Sequence, residues 1–425
     1  RQITIGTLAN ANYSITFVPA NLTITQRPIT VTADDQTKVF GSTDPPLTYI
    51  VTTGSLVGSD SLSGALSRAT GEDVGTYAIN QGTLTNSNYD ISFVGGSLTV
   101  SRAVQNALSV TTSQVTYGTS VVLGSSGGSG TGDVAYAVTN AGTAGCSISA
   151  DTLTATGDVG STCTITATKA QSTNYNAASS VAKTITVIDR AITVTATAVS
   201  KTYGDADPAF AYTITSGTLV SGDTLSGALG RTSGENVGTY AINQGTLANA
   251  NYAITFVGSN LTVSERPITL TAANRTKVFG DTDPSLAYSI TSGSLVGSDA
   301  FSGSISRNSG ENIGSYVIGR GTLANANYAI TFNNGSFTIS GANQSGFTLA
   351  AASSLVTYQD TTTLSTSGGN GNGAVTYAVV DGTGGCTISG NTLTAVAAGT
   401  CIVSATKAQE GNYNAATSND VTITV

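Results

Sequence analysis

The acidic residues are the side chains whose spacing could support hydrolysis or hold a hard cation. Asp205 with Asp207 and Asp281 with Asp283 sit in Gly-Asp-x-Asp-Pro segments, and Glu72 adjoins Asp73. Glycoside hydrolysis uses two carboxylates, but a working pair faces its substrate across a cleft and usually comes from distant segments. These acids instead recur with a repeated unit, and one copy carries Ser42 where the others carry the first Asp. No catalytic residue is therefore assigned, and the chain is read as not an enzyme. Asp205, Asp207, Asp281 and Asp283 remain weak candidates for Ca²⁺, which binds hard oxygens; two carboxylates per segment fall short of the roughly six to eight ligands it takes. The reading favoured over a metal site is an Asx turn, in which Asp207 or Asp283 bonds the backbone ahead of a proline. No other metal or cofactor is implied.

Other chemistries fail on residue type. With no histidine in 425 residues, a Ser-His-Asp relay has no base. The stretches GGSGTG (127–132) and GGNGNG (368–373) are followed neither by Lys-Ser/Thr nor by a helix, so they read as flexible loops, not phosphate cradles. Lys and Arg total 16 against 24 acids, a net charge of −8, and are scattered singly, which excludes a nucleic-acid backbone as partner. Tyrosines of the NYxITF and NYNAA phrases could stack on sugars. Their i, i+2, i+4 alternation with Ile and Phe places them on one strand face, as core. Six Asn-x-Ser/Thr sites, at Asn12, Asn21, Asn260, Asn274, Asn334 and Asn343, are read as unmodified.

Four cysteines, Cys146, Cys163, Cys386 and Cys401, form two local pairs, neither of them CxxC. Two structural disulfides are expected, hence an oxidising, extracellular setting, with buried free thiols as the alternative. No run of eighteen apolar residues is present, so a membrane span or export signal is expected to lie outside this chain.

Positioning is the work of strands. In RPITVTA (27–33), Ile29, Val31 and Ala33 point one way and Thr30 and Thr32 the other, the period-2 pattern of a half-buried strand. Gly, Asn and Asp-Pro steps punctuate such runs throughout. Fold class is therefore all-β: a tandem array of small antiparallel sandwiches of about seven strands each, forming an elongated rod.

Two kinds of module alternate. One opens with RPITVTA or its variants, passes through KVFGSTDP, SGTLVSGDTLSGAL and GEDVGTYAI phrases, and closes with GTLANANYAITF and SLTVS. The other carries VTYG or VTYQ, TCTITATKAQ or TCIVSATKAQ, and NYNAA, with one cysteine pair. Gly6 aligns with Gly245 and Arg27 with Arg266, an offset of 239. The expected domains are the C-terminal part of a truncated module (1–26), a first-kind module (27–101), a cysteine-bearing one (102–188), two of the first kind (189–264, 265–340) and a second cysteine-bearing one (341–425). Only one or two residues separate the last strand of one module from the first of the next, and Pro28 and Pro267 stand at such crossovers, so a stiff joint is expected.

Taken together, K-[VT]-[FY]-G-x-x-D-P, G-E-[DN]-[VI]-G-[ST]-Y and N-Y-x-I-[TS]-F resemble the MBG domains, mostly-β, glycine-rich modules of large bacterial surface proteins. The cysteine-bearing modules are similar to bacterial Ig-like repeats. The resemblance implies the stalk or fibre of a bacterial cell-surface adhesin, with neighbouring modules or identical chains as partners. Two rival expectations stand beside it: a multivalent array gripping host glycans or proteins, and a filament subunit completed by strand exchange with a neighbouring chain.

Overall fold

The computed structural model describes residues 1–425, built from strands and turns with no helix. Two compact units emerge: Arg1–Val194 with Ile214–Ser226 and Leu247–Thr255, and Thr195–Thr213 with Gly227–Thr246 and Phe256–Val425. Each is described by itself.

In the first unit, the strand Arg27–Ala33 buries Ile29, Val31 and Ala33 along one face. It lies between Tyr49–Thr53, antiparallel, and Tyr89–Val94, parallel with Arg27 opposite Tyr89. Past Asp34 and Asp35 the chain enters a second sheet ordered Gln36–Val39, Gly96–Ser101, Gly75–Asn80, Ser67–Arg68. The last strand makes the same crossing at Gly95, so the two stay parallel, Gln36 opposite Leu98. Asp35 fastens the crossing: its Oδ1 accepts the Ser97 amide at 2.7 Å and the Ser97 hydroxyl at 2.8 Å. The apolar faces meet between the sheets, with Ile29, Val31, Leu84 and Tyr89 in one cluster and Ala33, Ile79 and Leu98 in another. Fully burying each large aliphatic side chain contributes about 1.5–3 kcal/mol. Residues 265–340 of the second unit repeat the plan, with Arg266 opposite Tyr328 and Arg275 opposite Phe337.

This corrects the antiparallel expectation. Alternation reports which face is buried and not strand direction. The long segment between first and last strands supplies the crossover that a parallel pair requires.

In the cysteine-bearing segments, one sheet holds Gln114–Thr116, Lys183–Ile188, Thr162–Lys169 and Val134–Asn140, and another Ser120–Val122, Thr152–Thr154 and Ser147–Ser149. A disulfide joins Cys146, beside Ser147–Ser149, to Cys163 on Thr162–Lys169, S–S 2.04 Å, tying one sheet to the other through the core. In the second unit Cys386 and Cys401 are joined likewise, S–S 1.99 Å. Within residues 1–26, Gln2–Ile3 pairs with Ala20–Asn21, and Leu8, Tyr13 and Val18 are exposed.

Candidate functional site: a recurring joint between modules

In each of the four modules within residues 27–340 the second strand runs parallel to the last strand and leads into an aromatic residue. The aromatic amide bonds the carbonyl at the end of the last strand: Phe40 N to Ser101 O and Tyr117 N to Ile188 O, both 2.9 Å, in the first unit, and Tyr203 N to Ser264 O (2.9 Å) and Phe279 N to Ser340 O (2.8 Å) in the second. The ring therefore stands where the chain leaves one module for the next.

There it meets the Asn-Tyr dipeptide of the following module. Rings pack edge-to-face at 5.5 Å for Phe40–Tyr175, 5.8 Å for Tyr117–Tyr252, 5.6 Å for Tyr203–Tyr328 and 5.6 Å for Phe279–Tyr413. Such pairs contribute about 0.5–1.5 kcal/mol beyond area burial. The asparagine acts as a two-pronged clip. Asn174 Oδ1 accepts the Val74 amide at 2.9 Å while its Nδ2 donates to Asp73 Oδ1 at 2.7 Å. Asn251 engages Val159 and Asp158 in the same way, Asn327 engages Val237 and Asn236, and Asn412 engages Ile313 and Asn312. In addition, the carbonyls of Asn174, Asn251, Asn327 and Asn412 accept the amides of Ala103, Arg190, Arg266 and Ala342 at the start of their own modules.

Close approach is required at the two joints where the aromatic is a tyrosine, at Gly118 and Gly204. A Cβ on Gly204, whose φ is +85°, would lie 2.3 Å from Val296 Cγ2, so only glycine lets the following module seat. Asn327→Ala removes both prongs of one clip, leaving the Val237 amide and Asn236 unpaired. We expect about 1–3 kcal/mol of lost coupling between residues 195–264 and 265–340, read as two calorimetric transitions in place of one.

The four candidate cation ligands are placed elsewhere. Asp207 Oδ1 binds Lys201 Nζ at 2.7 Å and its Oδ2 binds Arg231 Nε at 2.5 Å, while Glu235 closes the ring onto both cations. The same quartet joins Lys277, Asp283, Arg307 and Glu311, and Lys38, Asp44, Arg68 and Glu72. Asp205 pairs with Arg266 at 3.0 Å, and the Asp281 carbonyl accepts Lys277 Nζ at 3.2 Å. No group of three or more His, Cys, Asp or Glu stands together as a metal would need. The expected Asx turn is thus replaced at Asp207 and Asp283 by ion pairs. The reason is the lysine: its side chain is only 3–4% exposed, and a buried ammonium demands carboxylate partners. Sequence spacing alone did not reveal this, because Lys and Asp come from one phrase and Arg and Glu from another some twenty residues on.

The guanidinium and ammonium neighbours hold Asp44 and Asp283 down at about 2, below the usual carboxylate range. A depressed acid stabilises the fold above its ordinary value near 3.8 and loses that contribution as pH falls through the folded value. Thermal midpoints of these modules should therefore hold steady down to about pH 4 and fall steeply between pH 4 and 2. Asp44→Asn should flatten that fall, as seen by circular dichroism melts.

The glycine-rich stretches are pinned, contrary to the flexible-loop expectation. Buried Gln105 accepts the Gly130 amide at 3.2 Å and donates to Asn176 O at 2.7 Å; Gln344 does the same with Gly371 and Asn414. An open groove of about 680 Å³ lies beside Tyr117, lined also by Thr119, Thr154, Thr156 and Val220.

Strands in two-sheet modules, joined directly and stapled by disulfides, define a tandem β-module repeat protein. Three stretches, residues 29–99, 192–262 and 268–338, match the MBG domain (YGX type); the chain belongs to this family. No curated protein sequence matches it. Among solved structures it is similar to Drosophila N-cadherin EC1-4, at 10% identity with 82% of each chain covered and a TM-score of 0.19. It is also similar to the N-terminal eight Ig domains of Down Syndrome Cell Adhesion Molecule, at 13% identity over 89% of this chain and 62% of that one, with a TM-score of 0.18. Scores this low establish no shared arrangement of modules. Two disulfides mark an extracellular protein.

Proposed function

We propose that this chain is the stalk of a bacterial surface adhesin, a series of non-catalytic modules that spaces and presents adhesive regions held elsewhere. The observation that carries this reading is the joint itself: one aromatic contact and one asparagine clip recur at all four junctions described above, whichever kind of module lies on either side. A joint of one plan between both kinds of module serves a continuous load path better than a set of separate binding sites. Cross-strand hydrogen bonds resist extension, and the disulfides limit how far the cysteine-bearing modules unravel.

Stretching single molecules tests the proposal. A sawtooth of similar unfolding events is the expected record, and a smooth, featureless extension would overturn it. Specific glycan binding by the intact chain, lost on truncating side chains in the groove beside Tyr117, would favour the multivalent-array reading.

A further inference from the structure

The aromatics at the four joints differ by one oxygen, and the difference follows the module they meet. Phe40 and Phe279 pack on tyrosines of cysteine-bearing modules, whereas Tyr117 and Tyr203 pack on tyrosines of MBG modules. Each MBG module carries a Val-x-x-Asp loop, at 57–60, 220–223 and 296–299, and neither cysteine-bearing segment, 102–188 or 341–425, contains that pattern. The tyrosine of the MBG module holds this loop at both ends. Tyr252 donates to Asp223 at 2.6 Å and accepts the Val220 amide at 2.7 Å, and Tyr328 does the same with Asp299 and Val296, as Tyr89 does with Asp60 and Val57.

The preceding module touches the same loop at two points. Tyr203 donates to Asp299 Oδ2 at 2.9 Å, the oxygen that Tyr328 also bonds, and Tyr117 approaches Asp223 Oδ1 at 3.5 Å. The glycine after each tyrosine makes room for the valine: a Cβ on Gly118 would lie 2.3 Å from Val220 Cγ2, and one on Gly204 2.3 Å from Val296 Cγ2. Gly41 and Gly280, which follow the phenylalanines, would meet nothing within 4 Å. All four glycines have positive φ, from +66° to +92°, so the backbone turn is common to every joint and the hydroxyl is what sets the two kinds apart. A phenol donating to a carboxylate makes a charge-assisted bond, stronger than one between neutral groups.

We propose that the hydroxyl of Tyr117 and Tyr203 is a specificity element that selects an MBG module as the next neighbour by reading the aspartate of its Val-x-x-Asp loop. A phenylalanine at the same place marks a joint to a cysteine-bearing module, which has no such aspartate to offer. Module order is then written in part into the joints. The inference does not rest on the stalk reading: it concerns which neighbour a joint fits and is measured without force, so either can fail alone.

The test is hydrogen exchange of the amides that the asparagine clips hold, which reports opening of each joint. In the full chain, Tyr203→Phe should speed exchange of the Val237 amide about tenfold. Phe40→Tyr should leave the Val74 amide unchanged there, because the module that follows is cysteine-bearing. In a full chain whose residues 102–188 are replaced by a second copy of 189–264, Phe40 precedes an MBG module, and Phe40→Tyr should now slow Val74 about tenfold. A substitution that tightens a joint in one module order and not in the other is the mark of specificity; a ring acting through packing alone would behave alike in both. Equal slowing of Val74 in the two orders, or slowing in neither, overturns the proposal. So does a Val237 amide indifferent to Tyr203→Phe, an arm that needs no rearranged chain and decides the matter if the inserted copy does not fold. Protection of the Val220 amide in that copy reports whether it has.

Discussion

Reducing the disulfides should lower the unfolding free energy of each cysteine-bearing module by about 3 kcal/mol. Cys146–Cys163 closes a loop of sequence separation 17 and Cys386–Cys401 one of 15, and on the chain-entropy account opening loops of that size releases this much freedom in the unfolded state. For modules of under a hundred residues, with small cores, that is a large share of a net stability of about 5–15 kcal/mol. Cys163 and Cys401 are also core residues, packed among Ile165, Leu153 and Ile185 in one module and Leu364, Leu393 and Ile423 in the other. Replacing them with serine should therefore cost more than reduction does, because a hydroxyl would be left in an apolar cluster. Equilibrium denaturation with and without reductant measures the first effect. Under force, reduction should add about 50 Å of contour length to each cysteine-bearing event and leave the MBG events unchanged. Identical contour lengths before and after reduction would show that the loops do not bear load.

Gly310→Ala should strongly destabilise its MBG module. A Cβ at that position, where φ is +138°, would lie 2.3 Å from Tyr316 Cε1. The ring cannot move aside, because Tyr316 donates to Asn312 O at 2.8 Å and is stacked under Arg307, whose guanidinium also covers Phe337 and donates to Gly310 O at 2.7 Å. Displacing the ring thus disturbs the arginine that completes the Lys277–Asp283–Glu311 quartet. We expect a loss of about 3 kcal/mol or more, seen as a fall of roughly 15 °C in the melting temperature of the module. Gly297→Ala is the matched control: φ is +53° but nothing lies within 4 Å of the added carbon, so only the left-handed backbone cost of about 1–2 kcal/mol remains. Equal effects at the two sites would mean that backbone conformation, and not the tyrosine contact, decides.

Much of this architecture is written in periodicity. RPITVTA and its variants announce strands with one buried face, and the buried residues Ile29, Val31, Ile268 and Leu270 follow that pattern because a side-chain period of two needs no knowledge of neighbours. Repetition of whole phrases announced the family for the same reason: copies with the same local instructions fold alike. The absence of histidine restricted the chemistry before any geometry was known. The directions of the strands were not legible. Parallel pairing of Gln36–Val39 with Gly96–Ser101 depends on how the chain crosses between sheets, which no local pattern encodes.

The acids show the limit most clearly. In sequence, Asp207 and Asp283 sit before prolines and read as turn formers; in the fold each meets a lysine six residues before it, an arginine 24 residues after it, and through that lysine a glutamate. The tyrosines divide in the same way. Alternation alone placed Tyr252 and Tyr328 on a buried strand face, and they are buried. Only the tertiary structure put each against the aromatic of the module before it, because that contact exists between surfaces brought together when the last strand of one module becomes the first of the next. By itself, then, the sequence determined the strand faces, the module repeat and the cysteine pairs, all properties of short stretches and their copies. Tertiary structure decided the sheet crossings, the buried ion quartets and the joints, which depend on residues far apart in the chain meeting where water is excluded and every polar group must find a partner.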